Sequence, residues 1–150
     1  MTALALDTNI LLLWLVGAAT GRVLGKRLKA YSEDDLAILQ TCIEGHDRLV
    51  VTPNVWTEVS NVWHWGIEGS ARRTIQQTLT DAIHSSLELS KGSSEIATDP
   101  DFGRLDLADC AWFAVLDQQT TLITDDVALC DTAISRGLKA VNFTRLRDFG

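Results

Sequence analysis

Residues 3–13 read Ala3-Leu4-Ala5-Leu6-Asp7-Thr8-Asn9-Ile10-Leu11-Leu12-Leu13. The run Ala3 to Leu6 has no polar alternation, which suits a strand buried on both faces of a sheet. Ile10, Leu13 and Trp14 recur at helical spacing, which suits a helix packed on that strand. Asp7 stands at the junction, a carboxylate between two apolar elements. At the carboxyl end of a parallel strand it would occupy the edge of an open α/β sheet where ligands and catalytic groups collect.

The same order recurs near the other end of the chain. Thr121 to Thr124 reads as a strand, and Asp125-Asp126 follows as a helix begins that runs to about Arg136. Gly137 closes that helix, Lys139 to Phe143 supplies a last strand, and Thr144 to Phe149 reads as a short tail. Between the two ends, Ser32 caps a helix to Glu44, and Arg48 to Val51 is a strand. Thr52-Pro53 starts a helix to about Gly66, and Ser70 caps another that extends to Leu89. Ser90 to Gly103 is the longest loop. Strands alternating with helices in this way imply an α/β fold with a mainly parallel sheet covered on both faces.

Two further acids fall where a carboxylate needs a reason. Glu58 sits on the shoulder of the apolar stripe Val55, Trp56, Val59, Val62, Trp63, within reach of a cleft at the edge of the core. The segment from Asp106 to Leu116 is apolar nearly all round and predicts a central, largely buried helix with Asp106 as its N-cap. Asp109 projects over Phe113 and Leu116 in that helix and has no aqueous face of its own, so it needs a metal or a hydrogen-bond donor. Asp7, Glu58, Asp109 and Asp126 can all be placed at one sheet rim. Two carboxylates about 4 Å apart repel by roughly 4 kcal/mol at an effective dielectric near 20. Hard divalent cations remove that repulsion, and oxygen-only ligands point to Mg²⁺ or Mn²⁺, one or two ions. Such ions activate water for phosphodiester hydrolysis.

The chain has 150 residues, the size of one domain, with 46% hydrophobic residues. That is enough apolar surface for a packed core. Cys42, Cys110 and Cys130 are an odd set without a Cys-x-x-Cys pair, which reads as reduced thiols in a cytoplasmic protein. His46, His64 and His84 are too scattered for a metal motif. The net charge of −7 argues against a broad non-specific nucleic-acid binder. It remains compatible with a nuclease whose acids are clustered around cations, or with a basic protein partner. The apolar run Ile10 to Ala19 is too short to span a membrane and lacks a positive flank. Arg22, Lys26, Arg27 and Lys29 form the densest basic cluster and Arg72-Arg73 a second, each either a solvated surface or a phosphate-facing patch. Trp65 reads as a half-buried side chain or a base-stacking platform.

Four motifs carry a resemblance: Leu6-Asp7-Thr8-Asn9-Ile10-Leu11, Thr52-Pro53 followed by Glu58-Val59, Leu105-Asp106-Leu107-Ala108-Asp109-Cys110-Ala111, and Leu122-Ile123-Thr124-Asp125-Asp126. In this order and spacing, over residues 3–143, the chain resembles PIN-domain proteins, and among them the VapC-type toxins of toxin–antitoxin pairs. The resemblance implies a single PIN-like domain, a three-layer α/β/α sandwich, with metal-dependent endoribonuclease activity. It assigns Asp7, Glu58, Asp109 and Asp126 to the metal site and Thr8, Asn9 and Thr124 to supporting roles. Its Thr-x-Asp pattern selects Asp126, leaving Asp125 to cap the helix or to serve as a fifth acid. It further implies an RNA substrate, an antitoxin partner and a homodimer, with no organic cofactor. The alternatives are a PIN-fold nuclease in RNA processing, a non-catalytic protein-binding PIN module, and a phosphohydrolase of the haloacid-dehalogenase type. The last requires an Asp two residues beyond its nucleophile, where this chain has Asn9.

Overall fold

The computed structural model describes residues 2–149. Five parallel strands form one sheet in the order β3-β2-β1-β4-β5: β1 Ala3–Leu6, β2 Arg48–Val51, β3 Leu87–Glu88, β4 Thr120–Thr124 and β5 Lys139–Asn142. The central strand β1 pairs Ala3 with both Arg48 of β2 and Thr120 of β4. All four of its residues are buried, as an apolar run without alternation requires.

The helices are α1 Thr8–Thr20, α2 Glu33–Glu44, α3 Pro53–Val62, α4 Gly69–Ser85, α5 Ser93–Ile96, α6 Leu107–Val115, α7 Val127–Ser135 and α8 Phe143–Phe149, with a 3-10 turn at Lys26–Leu28. The crossover from β1 to β2 and that from β4 to β5 travel in opposite directions across the sheet. Right-handed connections therefore put α1 and α7 on opposite faces, giving the α/β/α sandwich. The reversal also makes the carboxyl ends of β1 and β4 the topological switch point, where a crevice opens.

The strongest local signals in the sequence are helix caps, and the structure forms them. Ser32 accepts from the Asp35 N–H, with the reciprocal bond completing a capping box. Thr52 accepts from the Val55 N–H, with Pro53 in the first helical turn. Leu4, Leu6, Ile10, Leu11, Leu13 and Leu15 are fully buried in the main core.

Several expectations are corrected. The central buried helix is α1, which packs against α2, α3 and α4 as well as the sheet, so Leu11, Leu12 and Val16 are buried beyond the single stripe expected. A Cβ at Gly17 would lie 2.2 Å from Leu36 Cδ1, so the Leu36 side chain would have to shift to admit one. Helix α6 buries only Cys110, Ala111 and Trp112, because it packs on α3 and the short α5 rather than at the centre. Helix α3 ends at Val62, so Trp65 falls on a following turn and is 48% exposed. Helix α4 stops at Ser85, and Leu87–Glu88 leaves it to become the edge strand β3, pairing with Val50 and Val51. Two residues are too few to show a strand's period. Helix α4 also starts after Glu68, without a Ser70 cap. The carboxyl-terminal tail is helical, as α8. Among the described residues no helix is long and apolar enough to cross a membrane, and all three cysteines are free.

Candidate functional site

At the switch point a cleft of about 160 Å³ is lined by Asp7, Thr8, Asn9, Arg27, Glu58, Asp106, Asp109, Asp125 and Asp126. The four acids expected to converge do so, from the end of β1, from α3, from α6 and from the start of α7.

Asp7 occupies the N-cap position of α1 but makes no side-chain cap bond. Its carboxylate is held instead by two long-range donors. Thr124 Oγ1 donates to Oδ2 at 2.9 Å and Trp112 Nε1 donates to Oδ1 at 3.4 Å. The Asp7 backbone N–H continues the sheet onto the Ile123 carbonyl at 3.0 Å. Burial pushes the Asp7 carboxyl above its usual range, against the opposing bonds from Thr124, the Thr8 N–H and Trp112.

Asp109 is pushed up to about 7, first by desolvation and then by the charges of Asp106, Asp7 and Asp126. Glu58 is raised for the same reasons, burial first and then Asp7 and Asp106. Carboxyls raised first by burial and then by one another's charge are a donor set short of positive charge.

The two acids after β4 divide their work differently from expectation. Asp126, not Asp125, caps α7: its Oδ1 accepts from the Leu129 N–H at 3.0 Å. Its own N–H donates to Thr124 Oγ1 at 3.0 Å, so one buried hydroxyl orients both Asp7 and Asp126. Asp125 is gripped by protein donors, its Oδ2 accepting from the Tyr31 hydroxyl and from Asn9 Nδ2. Burial first, and then the bond to Asp125 and its charge, raise the Tyr31 phenol above its ordinary range.

Sequence reasoning missed Asp106 and Tyr31 as residues of this region. Asp106 caps α6 through the Asp109 N–H at 2.8 Å while also lining the cleft, so its capping role concealed its second position. Tyr31 carries no local signal, since its partner is 94 residues away. Of the basic candidates only Arg27 lines the cleft. Lys26 lies against Gly66, whose Cβ would meet its side chain at 3.0 Å. Arg72 stacks 5.7 Å from the Trp63 ring centroid. Arg22, Lys29 and Arg73 are exposed elsewhere.

The donors fit a hard divalent cation. Apart from the Arg27 guanidinium, the lining offers six carboxylates, the Thr8 hydroxyl and the Asn9 amide, with neither thiol nor imidazole among them. The buried Thr8 Oγ1 also approaches Glu58 without a well-formed hydrogen bond. Among the described residues no three acids meet as a ready-made metal cage, and the carboxylates ring the cleft. Beside the cleft, sharing Glu58 and Asp106 with it, runs a groove of about 490 Å³ between α3 and α6, bordered by Asn54, Thr57, Lys91 and Ser93. No protein-family model matches the chain, and no curated protein does either.

Proposed function

We propose that this chain is a Mg²⁺- or Mn²⁺-dependent endoribonuclease in which Asp7, Glu58, Asp109 and Asp126 hold the metal. The observation that carries this reading is the convergence of four acids from four elements on one cleft at the switch point of a parallel sheet. The resemblance of the motifs around Asp7, Glu58, Asp109 and Asp126 to those of PIN-domain proteins supports it from the sequence.

A divalent ion bound there supplies an activated water and neutralises charge on the phosphoryl group. The chain does the rest. Thr124 and Trp112 fix the two oxygens of Asp7, so that carboxylate needs no reorganisation on binding. Water would attack phosphorus as the P–O bond to the leaving ribose oxygen breaks, and that oxygen would take a proton from solvent. Asp106, exposed where cleft and groove join, would accept the proton that water gives up. The groove receives the nucleotides flanking the cut, and Lys91 meets their phosphates. Asn9 offers an amide where dehalogenase-type phosphohydrolase chemistry requires a carboxylic acid.

The role of toxin, with an antitoxin partner and a homodimeric state, extends the same reading and rests on the resemblance to the VapC type. The purified protein should cleave RNA only with Mg²⁺ or Mn²⁺, and Asp7→Asn or Asp109→Asn should abolish cleavage while circular dichroism stays unchanged. Undiminished cleavage by either variant or in excess EDTA would sink the mechanism. Expression should arrest growth only when Asp7 is intact.

A further inference from the structure

The 3-10 turn Lys26–Leu28 carries Arg27 to the rim of the acidic cleft, and the way this cation is held is unusual for its surroundings. Six carboxylates line the same cleft, yet among the described residues Arg27 forms no salt bridge with any of them. Its charge is felt at Glu58, where it opposes the upward shift of the carboxyl. An unrestrained guanidinium beside so many acids would collapse onto one of them as a bidentate pair.

A neutral tether prevents that. Arg27 Nε donates to Asn9 Oδ1 at 2.9 Å, and Asn9 Nδ2 donates to Asp125 Oδ2 at 3.4 Å. Asp125 is anchored by the Tyr31 hydroxyl. Tyr31 is itself backed by Arg147, whose guanidinium carbon lies 5.5 Å from the ring centroid. Arg147 donates in turn to Asp35 Oδ1 at 2.9 Å and to the Ala30 carbonyl at 2.8 Å. The Asn9 amide must point its oxygen at Arg27, because its NH₂ faces a carboxylate. This leaves both Nη groups of Arg27 without a hydrogen-bond partner among the described residues.

From this geometry we infer that Arg27 is the phosphate clamp of the site, its two Nη groups taking the non-bridging oxygens of the scissile phosphodiester. Asn9, Asp125 and Tyr31 are positioning residues that hold the guanidinium for that anion and keep it off the acids. The inference rests on the nuclease reading and deepens it. The carboxylates, with the cation they would hold, line the cleft, and Arg27 lies at its rim. Charge on the phosphoryl oxygens is then balanced from both sides as the P–O bond breaks. A lysine would place a point charge there but no fork.

Two measurements on wild type, Arg27→Ala and Arg27→Lys test this. In Mn²⁺, Arg27→Ala should lose about 100-fold in kcat. Guanidinium chloride at low concentration should restore part of that loss in Arg27→Ala and not accelerate wild type, and Arg27→Lys should remain impaired. In Ca²⁺, fluorescence anisotropy of a labelled single-stranded RNA oligonucleotide should show weaker binding to Arg27→Ala by about tenfold, roughly the worth of one hydrogen bond to a charged group. Full activity in Arg27→Ala, or a loss that guanidinium does not relieve, overturns the clamp. Should wild type prove unable to cleave RNA, the nuclease reading falls and the scissile bond with it, and the anisotropy decides whether Arg27 holds a phosphate: Arg27-dependent binding upholds that contact, equal binding overturns it.

Discussion

The Thr124 hydroxyl donates to Asp7 Oδ2 at 2.9 Å across 117 residues of sequence. Thr124 is fully buried, and the same oxygen accepts the Asp126 N–H. Replacing Thr124 by Val keeps the shape but strands a buried carboxylate oxygen and a backbone N–H. Thr124→Val should therefore lose about 1–3 kcal/mol of stability by chemical denaturation. It should also lose between about 10- and 100-fold in metal affinity or cleavage, the usual consequence of removing an outer-shell partner. Unchanged Mn²⁺ affinity would show that Asp7 needs no such support.

Proton and cation should compete for the cleft. Asp7, Glu58 and Asp109 are all raised by burial and crowding, Asp109 to about 7. In the unfolded chain such carboxyls titrate near 4, so between about pH 4 and 7 the folded state binds more protons than the unfolded one. The contribution of these groups to stability is then complete below the unfolded pKa and is lost as pH rises through the folded one. Without divalent ions, Tm should fall between about pH 5 and 7.5, and Mn²⁺ should raise Tm more at the upper end, where it meets no proton. Carboxyls with lowered values, such as Asp99 and Asp117, act only at more acid pH. A cation effect equal at both ends would contradict binding at these acids.

Arg136, the C-cap of α7, should hold the long segment between β3 and α6. Its Nη1 and Nη2 donate to Asp99 at 2.7 and 2.6 Å, Nη2 also reaches Asp101, and the guanidinium carbon lies 4.1 Å from the Phe113 ring centroid. This clasp covers a small second core of Ile96, Leu105, Cys110 and Ala111. Because the pairs are partly exposed, Arg136→Ala should cost only about 1–2 kcal/mol. Limited proteolysis should then cut first within residues 90–105. Cutting elsewhere would remove the clasp role.

What the sequence determined by itself was local. The strand–acid–helix order at Asp7 and Asp126 and the caps at Ser32, Thr52 and Asp106 rest on contacts within a few residues, so spacing alone reveals them. The burial of β1 followed from an unbroken apolar run. The four acids could be picked out because each lies at an element edge or on the flank of an apolar stripe. Tertiary structure decided the rest. That α1 and not α6 is the central helix depends on what packs on each side, and both are apolar nearly all round. That Leu87–Glu88 is a strand depends on β2 lying alongside it. The division of labour between Asp125 and Asp126, and the choice of Arg27 over the other basic residues, depend on Tyr31 and Asn9. Both meet Asp125 only when a sheet ordered 3-2-1-4-5 sets the ends of β1 and β4 side by side.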